Sequence, residues 1–248
     1  KYILNIRDYF YEKNWLIKKR MKKLVEMSKF TTLSSEGFLK FLPKSQKYKI
    51  VYSYNSNVIE NAKVNKEFKV IKPIRISFIG NIRFIEINKE LINALANDNR
   101  FSLKYYGTNN EELAKYAKEK KVDNIEFKGA FNIDETSLLL DETDIFNNLY
   151  GNNNIALDTA LSIRMYYSLF LNKPILTTKN TYTAKEANKF KLGFEIDPQN
   201  LKNIGNHLYN WYKELNSIEI NKKRTTYINK VISNNNNFYK DLKKIFNE

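Results

Sequence analysis

The 248-residue chain contains no cysteine and one histidine, His207. The first absence excludes disulfides and thiolate metal sites. The second leaves little room for a Ser-His-Asp triad or a multi-histidine zinc centre. His207 lies in a helix-like surface segment, LKNIGNHLYNWYKEL, where a structural role is expected, and no metal site is read anywhere. No apolar stretch reaches the roughly 18 to 20 residues that span a bilayer, and no signal-peptide pattern precedes the first strand-like run. The expectation is a soluble or peripheral protein of the cytoplasm. Acidic residues are scarce too: 27 Asp and Glu face 42 Lys and Arg, a formal net charge of +15. Such an excess suits an anionic partner, whether nucleic acid, membrane surface or phosphorylated small molecule. A composition rich in Lys, Asn, Ile and Tyr, as in AT-rich genomes, also inflates lysine by itself.

Glycine is sparse, seven in all, yet Gly80, Gly107, Gly129 and Gly151 each follow a short strand-like run: IRISFI, FSLKYY, IEFK and DIFNNLY. A helix-like pattern follows each glycine. Their spacing, roughly 22 to 27 residues, is that of successive βα units, so the segment reads as a parallel sheet with crossover helices. The carboxyl ends of such strands form a ligand crevice, and glycine there lets the backbone approach a ligand or turn sharply. For each glycine alone a tight βα turn is the better explanation; the series points to a nucleotide-sized site.

Before this block, residues 2–6 and 30–33 read as strands, 12–27 as a helix with Trp15, Leu16, Leu24 and Met27 on or near one face, and 49–52 as a further strand. A sheet strand at the very start, with no initiator methionine, suggests that an upstream portion has been removed. Residues 56–72 are polar and suit a linker. Within the block, residues 157–171 read as one helix, 174–177 as a buried strand and 194–197 as another. Helices over 201–215 and 219–232 follow, and the run Asn234–Asn237 separates the second from a short terminal helix.

Several motifs carry chemistry. Asn147, Asn148, Tyr150, Gly151 and Asn152 end one strand, and their amides suit sugar hydroxyls and base edges; an asparagine-rich turn explains them as well. On a helix over 157–171, Asp158, Ser162 and Met165 or Tyr166 share one face. Arg164 stands in an apolar stretch of that helix, where it must snorkel to water or meet a fixed anion. Gly80, Asn81 and Arg83 resemble half of a dinucleotide fingerprint, and the amides there suit a phosphate at the next helix N-terminus. Trp15 with Lys18, Lys19, Arg20, Lys22 and Lys23 suits an anionic bilayer interface, or else a solvated basic face.

Together these pieces resemble a GT-B glycosyltransferase, specifically the family 4-like enzymes of bacterial capsule and surface-polysaccharide synthesis. The resemblance covers nearly the whole chain. It rests on Ile6-Arg7-Asp8-Tyr9, Ser34-Ser35-Glu36-Gly37-Phe38 with Phe41-Leu42-Pro43, Phe78-Ile79-Gly80-Asn81-Ile82-Arg83, Asn148-Leu149-Tyr150-Gly151-Asn152 and residues 157–176. It implies an α/β, GT-B-like fold. Residues 1–55 would be the end of a Rossmann-like acceptor domain, 56–72 a linker, 73–215 a Rossmann-like nucleotide-sugar domain, and 216–248 helices packing back towards the first domain.

The resemblance places Arg164 at the donor diphosphate with Gly80, Asn81 and Arg83. Lys128, Gly129 and Phe131 would line the base pocket. Tyr150, Gly151, Asn152, Asp158, Thr159, Ser162 and Tyr167 would complete the donor site, and Asp8 and Glu36 would hydrogen-bond acceptor or donor sugar. Where the family carries two glutamates about eight positions apart, this chain has Thr159 and Tyr167, with Asp158 beside the first. Tyr54-Asn55 stands where relatives often have His-Asn. The implied activity is retaining, metal-independent transfer of a sugar from a UDP- or GDP-linked donor, with no cofactor, to a lipid-linked saccharide precursor at the inner face of the membrane. The truncated piece alone is expected not to turn over. A nucleic-acid-binding α/β module and a catalytically silent GT-B-like scaffold are the alternatives; lysines spread over nearly every predicted helix argue against nucleic acid.

Overall fold

The computed structural model describes residues 2–8 and 13–246; Tyr9 and Glu12 lie outside them. A first group of elements comprises β1 (Ile3–Ile6), α1 (Trp15–Met27), β2 (Phe30–Leu33), β3 (Tyr48–Ile50) and α2 (Ser56–Glu60). The three strands form one parallel sheet in sequence order. The larger group is β4 (Ile74–Ile79), α3 (Ile85–Leu95), β5 (Phe101–Tyr106), α4 (Glu111–Glu119), β6 (Ile125–Lys128), α5 (Thr136–Asp141), β7 (Ile145–Asn148), α6 (Ile155–Thr159), α7 (Ile163–Leu171), β8 (Ile175–Thr178), α8 (Tyr182–Lys189), β9 (Gly193–Ile196), α9 (Ile204–Lys213) and α10 (Ser217–Phe246). Its six strands pair in parallel in the order β6-β5-β4-β7-β8-β9, the doubly wound arrangement in which strand order reverses between β4 and β7.

The central run β4 is buried on both faces, as a sheet covered by helices on both sides requires, whereas β5 and the edge strand β6 alternate buried and more exposed residues. Ile74, Ile76 and Phe78 of β4 alternate with residues of the other face and join Phe101, Leu103 and Tyr105 of β5 in a core beneath α3 and α9. Phe78, Tyr105 and Phe127 stack in series across three strands, at 6.1 and 5.3 Å between centroids. The opposite face packs Ile79, Tyr106, Phe146 and Ile175 against α7 and α10. Burial of each such large side chain contributes about 1.5–3 kcal/mol.

Two expectations are corrected, the single helix over 157–171 and the break at Asn234–Asn237. Residues 157–171 are two helices, not one: the chain turns at Ala160–Ser162, and Ser162 caps α7 by accepting from Arg164 N at 3.3 Å. Asp158 and Ser162 therefore do not share a helix face. Asn234–Asn237 do not separate two helices, because α10 runs unbroken through them. The reason is tertiary: Asn235 accepts from Tyr52 N and donates to Tyr52 O, both at 2.9 Å, which offsets the poor helix propensity of asparagine. On α1 the buried residue is Val25, with Ile17 and Met21 partly buried beside it, one stripe at i, i+4, i+8. Trp15, Leu16, Leu24 and Met27 are instead exposed, Trp15 by 69%. The polar stretch 56–72 begins with α2, and Asn65 N donates to Leu171 O at 2.8 Å.

The long α10 lies against the first sheet. Lys49 pairs with Asp241 at 2.5 Å, Lys230 with Glu36 at 2.7 Å, and Phe238 meets Phe30 edge-on at 6.0 Å. A second junction joins the first group to α6. Ser35 Oγ donates to Thr159 O at 2.5 Å, and a Cβ on Gly37 would lie 2.2 Å from the same oxygen, so only glycine permits this approach.

Candidate functional site

Reversal of strand order between β4 and β7 opens a crevice outside their carboxyl ends, where ligands of such sheets bind. Local polar bonding fixes its floor. Asn88 of α3 accepts from Asn147 Nδ2 at 2.9 Å and from Tyr105 Oη at 3.1 Å, and its own amide donates to Phe84 O at 2.7 Å. Leu149 N donates to Asn147 Oδ1 at 3.0 Å. This buried network pins the end of β7 to the start of α3. The sequence alone did not single out Asn88 or Tyr105; the signal available is an asparagine on the apolar stripe of an amphipathic helix.

The Gly80 turn forms one wall. Gly80 has φ 125° and Gly107 φ 134°; a Cβ on Gly107 would stand 2.0 Å from Gly80 O, so the two successive βα turns nest only because Gly107 lacks a side chain, while a Cβ on Gly80 would lie 3.1 Å from Arg164 Nη2. Asn81 accepts from Asn109 Nδ2 at 2.7 Å, which ties the second turn to the first. Beyond it α3 starts at Ile85, and Phe84 provides no side-chain cap, so the first-turn amides are left for another acceptor. Arg83 is exposed, with no hydrogen bond or ion pair among the described residues.

Arg164, on the first turn of α7, stands beside the Gly80 turn, its Nη2 3.1 Å from where a Cβ on Gly80 would lie. It is 3% exposed, and its guanidinium lies 4.0 Å from the Phe78 ring centre. Nη2 donates to Ile79 O at 2.5 Å, Nη1 donates to Tyr150 Oη, and Nε is buried without a partner. Among the described residues no carboxylate pairs with it. A buried cation held only by neutral acceptors and a ring face retains most of its charge for an incoming anion. Asn148 Oδ1 and Asp158 Oδ1 are likewise buried and unpartnered. Tyr167 packs on Phe146, and burial raises its phenol pKa against the opposing pull of Arg164.

The other residues singled out lie at varied distances from this centre along the fold. Gly151 follows Tyr150, and Asn152 Nδ2 donates to Lys179 O at 3.2 Å. Thr159 is buried and committed, its hydroxyl to Ile155 O and its carbonyl to Ser35. Ser162 is the cap already described. Lys128 ends the edge strand β6, and Gly129 and Phe131 follow it, two strands from the reversal. Lys128 reaches Glu135 at 3.5 Å, a Cβ on Gly129 would meet nothing within 4 Å, and Phe131 leans on the main core. Asp8 is exposed just past β1.

Glu36, past β2, is engaged. Burial pushes its carboxyl up, but Lys230 at 2.7 Å and Tyr52 Oη at 3.2 Å more than offset this and leave its pKa lowered. A second carboxylate escaped sequence reading. Glu186 of α8, 1% exposed, accepts from Tyr227 Oη at 2.6 Å and Lys189 Nζ at 2.5 Å, joining α8 to α10. Burial, then Glu186 itself, drives the Tyr227 phenol far up. A glutamate four residues after Tyr182, on the buried side of its helix, was the available clue. Among the described residues no cluster could hold a metal ion, and no helix is long and apolar enough to cross a membrane.

No family model and no curated protein matches the chain. Solved structures do. HepE of Anabaena in complex with UDP and glucose superposes with a TM-score of 0.68 at 14% identity, over 97% of this chain and 71% of that one. Sucrose-phosphate synthase of Thermosynechococcus elongatus gives 0.71 at 9% identity, over 98% and 67%. A glycosyltransferase of Rickettsia africae gives 0.62 at 13% identity, over 98% and 69%. The chain therefore has the GT-B-like fold of glycosyltransferases, two Rossmann-like parallel sheets, the first of three strands and the second of six.

Proposed function

We propose that this chain is part of a family 4-like glycosyltransferase of bacterial surface-polysaccharide synthesis that takes a sugar from a UDP- or GDP-linked donor. The observation that carries the reading is Arg164, a buried cation without a carboxylate partner, set at the strand-order reversal against the Gly80 turn. The donor diphosphate lies there, between the guanidinium and the free amides opening α3, with Arg83 adding a contact. The base runs towards Lys128, Gly129 and Phe131, and Tyr150, Gly151, Asn152, Asp158 and Ser162 surround the sugar and phosphates. The bond from the anomeric carbon to the diphosphate oxygen breaks, and a bond to an acceptor hydroxyl forms on the same face. The hydroxyl proton leaves with the diphosphate, whose charge Arg164 stabilises. Neither metal nor cofactor enters this scheme. Asp8 and Glu36 hydrogen-bond sugar hydroxyls.

The acceptor in this reading is a lipid-linked saccharide, and the protein works at the cytoplasmic face of a membrane. Exposed Trp15, Leu16, Leu24 and Met27 interleave on α1 with Lys19, Arg20 and Lys23, which suits an anionic bilayer. One observation favours the silent-scaffold reading: Thr159 and Tyr167, at the places of the paired glutamates, are buried and packed. Calorimetric titration with UDP and GDP tests the proposal. Micromolar binding with shallow salt dependence is expected. Binding of oligonucleotides with steep salt dependence, and none of either nucleotide, would overturn it.

A further inference from the structure

We propose that the cavity at the amino ends of β4, β7 and β8 binds a phosphate dianion. The cavity, about 470 Å³, lies within the ~300–1,000 Å³ of small-molecule sites. It sits at the end of the six-stranded sheet opposite the crevice beside Arg164, so a ligand there is separate from anything held at the carboxyl ends. Arg75 of β4, Asp144 just before β7 and Lys173 just before β8 line it from the sheet, and much of the segment 63–71 walls it.

Charge at this cavity does not cancel. Each carboxylate lining it has a cation already: Asp144 holds Arg75 at 2.7 Å, Glu67 holds Lys69 at 2.9 Å and Asp141 holds Lys63 at 4.0 Å. Among the described residues Lys66 and Lys173 pair with none. Lys66 is exposed, but Lys173 is only 6% exposed. Its Nζ donates to Leu140 O at 2.5 Å, which uses one of three N–H groups. Burial brings its pKa down to about 8, with Arg75 and Lys63 adding to the lowering and Asp141 and Asp144 opposing it. An ammonium so desolvated gains from a further anion. The two lysines are also held together before any ligand arrives. Asn65 N donates to Leu171 O and Asn172 Nδ2 to Asn65 O, both at 2.8 Å, which fixes the segment of Lys66 against the turn that carries Lys173. Two uncompensated cations match a phosphate group, with about −1.5 to −2 charges near neutral pH and three acceptor oxygens. A neutral sugar would leave both unanswered. Val64, Ile71 and Tyr212 add an apolar side, and the Tyr212 hydroxyl has no partner among the described residues, so a monoester with a compact carbon body fits better than the free ion.

The site draws nothing from the proposed glycosyl transfer. The test titrates glucose 6-phosphate, inorganic phosphate and glucose into the wild-type protein, Lys66→Ala and Lys173→Met by calorimetry, with UDP in parallel. Lys66 is exposed, so Lys66→Ala folds whatever becomes of Lys173→Met, and circular dichroism checks both. Glucose 6-phosphate should bind with millimolar or tighter Kd, and glucose should not bind. Each substitution should weaken the phosphate at least fivefold and leave UDP affinity unchanged. Between pH 7 and 9 the phosphate stays dianionic while Lys173 loses its proton, so wild-type affinity should fall by roughly threefold or more. Lys173→Met should not show that fall. Tighter binding of glucose 6-phosphate than of inorganic phosphate upholds a monoester site, and equal affinities uphold a site for the free ion. Phosphate binding that survives in a protein unable to bind UDP upholds the cavity and removes only the donor reading. Failure of both phosphates to bind, indifference to both substitutions, a pH dependence retained in Lys173→Met, or an equal loss of UDP affinity overturns the proposal.

Discussion

Two glycines give a matched experiment on the junction between the first sheet and α6. Neither Gly37 nor Gly129 has a positive φ, so alanine at either position reduces unfolded-chain freedom and, unopposed, stabilises by about 0.4–1 kcal/mol. At Gly129 nothing opposes it, because the new methyl group meets open space. At Gly37 the methyl would stand 2.2 Å from Thr159 O and 3.0 Å from two more backbone atoms, none of which is a flexible side-chain end. The helix must therefore withdraw, at the roughly 1–3 kcal/mol of overpacking. Withdrawal also breaks the buried bond from Ser35 to Thr159, about 0.5–1.5 kcal/mol more. The expected net loss for Gly37→Ala is about 0.5–4 kcal/mol, against a gain of up to about 1 kcal/mol for Gly129→Ala. Urea unfolding followed by fluorescence and far-UV circular dichroism measures both, since coincident transitions license the comparison. Equal midpoints for the two variants would refute the steric account.

Three further outcomes are expected. Gly129→Val should leave the unfolding midpoint no lower than wild type while abolishing UDP or GDP binding; unchanged nucleotide affinity would remove Gly129 from the base pocket. Because the folded-state pKa of Glu36 is depressed, its pairing stabilises the protein above the ordinary carboxylate pKa of 4.5 and is lost as pH falls through the folded value. Lys230→Met should accordingly move the acid-unfolding midpoint to higher pH, and an unmoved midpoint would deny the pairing a role. Lys19→Glu with Lys23→Glu should release the protein from anionic liposomes at moderate salt, each basic residue contributing about 1 kcal/mol at most; unchanged co-sedimentation would dismiss the α1 surface as a membrane contact.

The sheet is legible in the sequence. Strands at residues 30–33, 74–79, 101–106 and 125–128 coincide with the runs read from sequence, because each places apolar residues on at least one face for the helices to cover. The helices are less so. Ala160-Leu161-Ser162 breaks a helix with neither proline nor glycine, and Ser162 as a cap was the one local sign. The asparagine run looks like a breaker until Tyr52 supplies partners from 183 residues away. On α1, two apolar stripes compete, and only the position of β2 and β3 selects Ile17, Met21 and Val25. Arg164, Gly80 and Tyr150 come from three separate motifs that periodicity alone cannot bring together; only the family resemblance groups them, and in the fold Arg164 meets both Tyr150 and the Gly80 turn. Glu186 and Asn88 are hidden for the same reason, since their partners lie on distant elements.

The central claim is that Arg164 meets a nucleotide diphosphate. Replacement by methionine keeps much of the packing on Phe78 and removes the buried charge, so the variant should fold. At an effective dielectric near 20, a charge pair about 5 Å apart interacts by roughly 3 kcal/mol, and charged hydrogen bonds contribute about 1.5–3 kcal/mol. Calorimetric titration of UDP and GDP should therefore show Arg164→Met binding roughly 10- to 150-fold more weakly than wild type, with the unfolding midpoint preserved. Nucleotide affinity equal to wild type in a folded Arg164→Met protein would contradict the account.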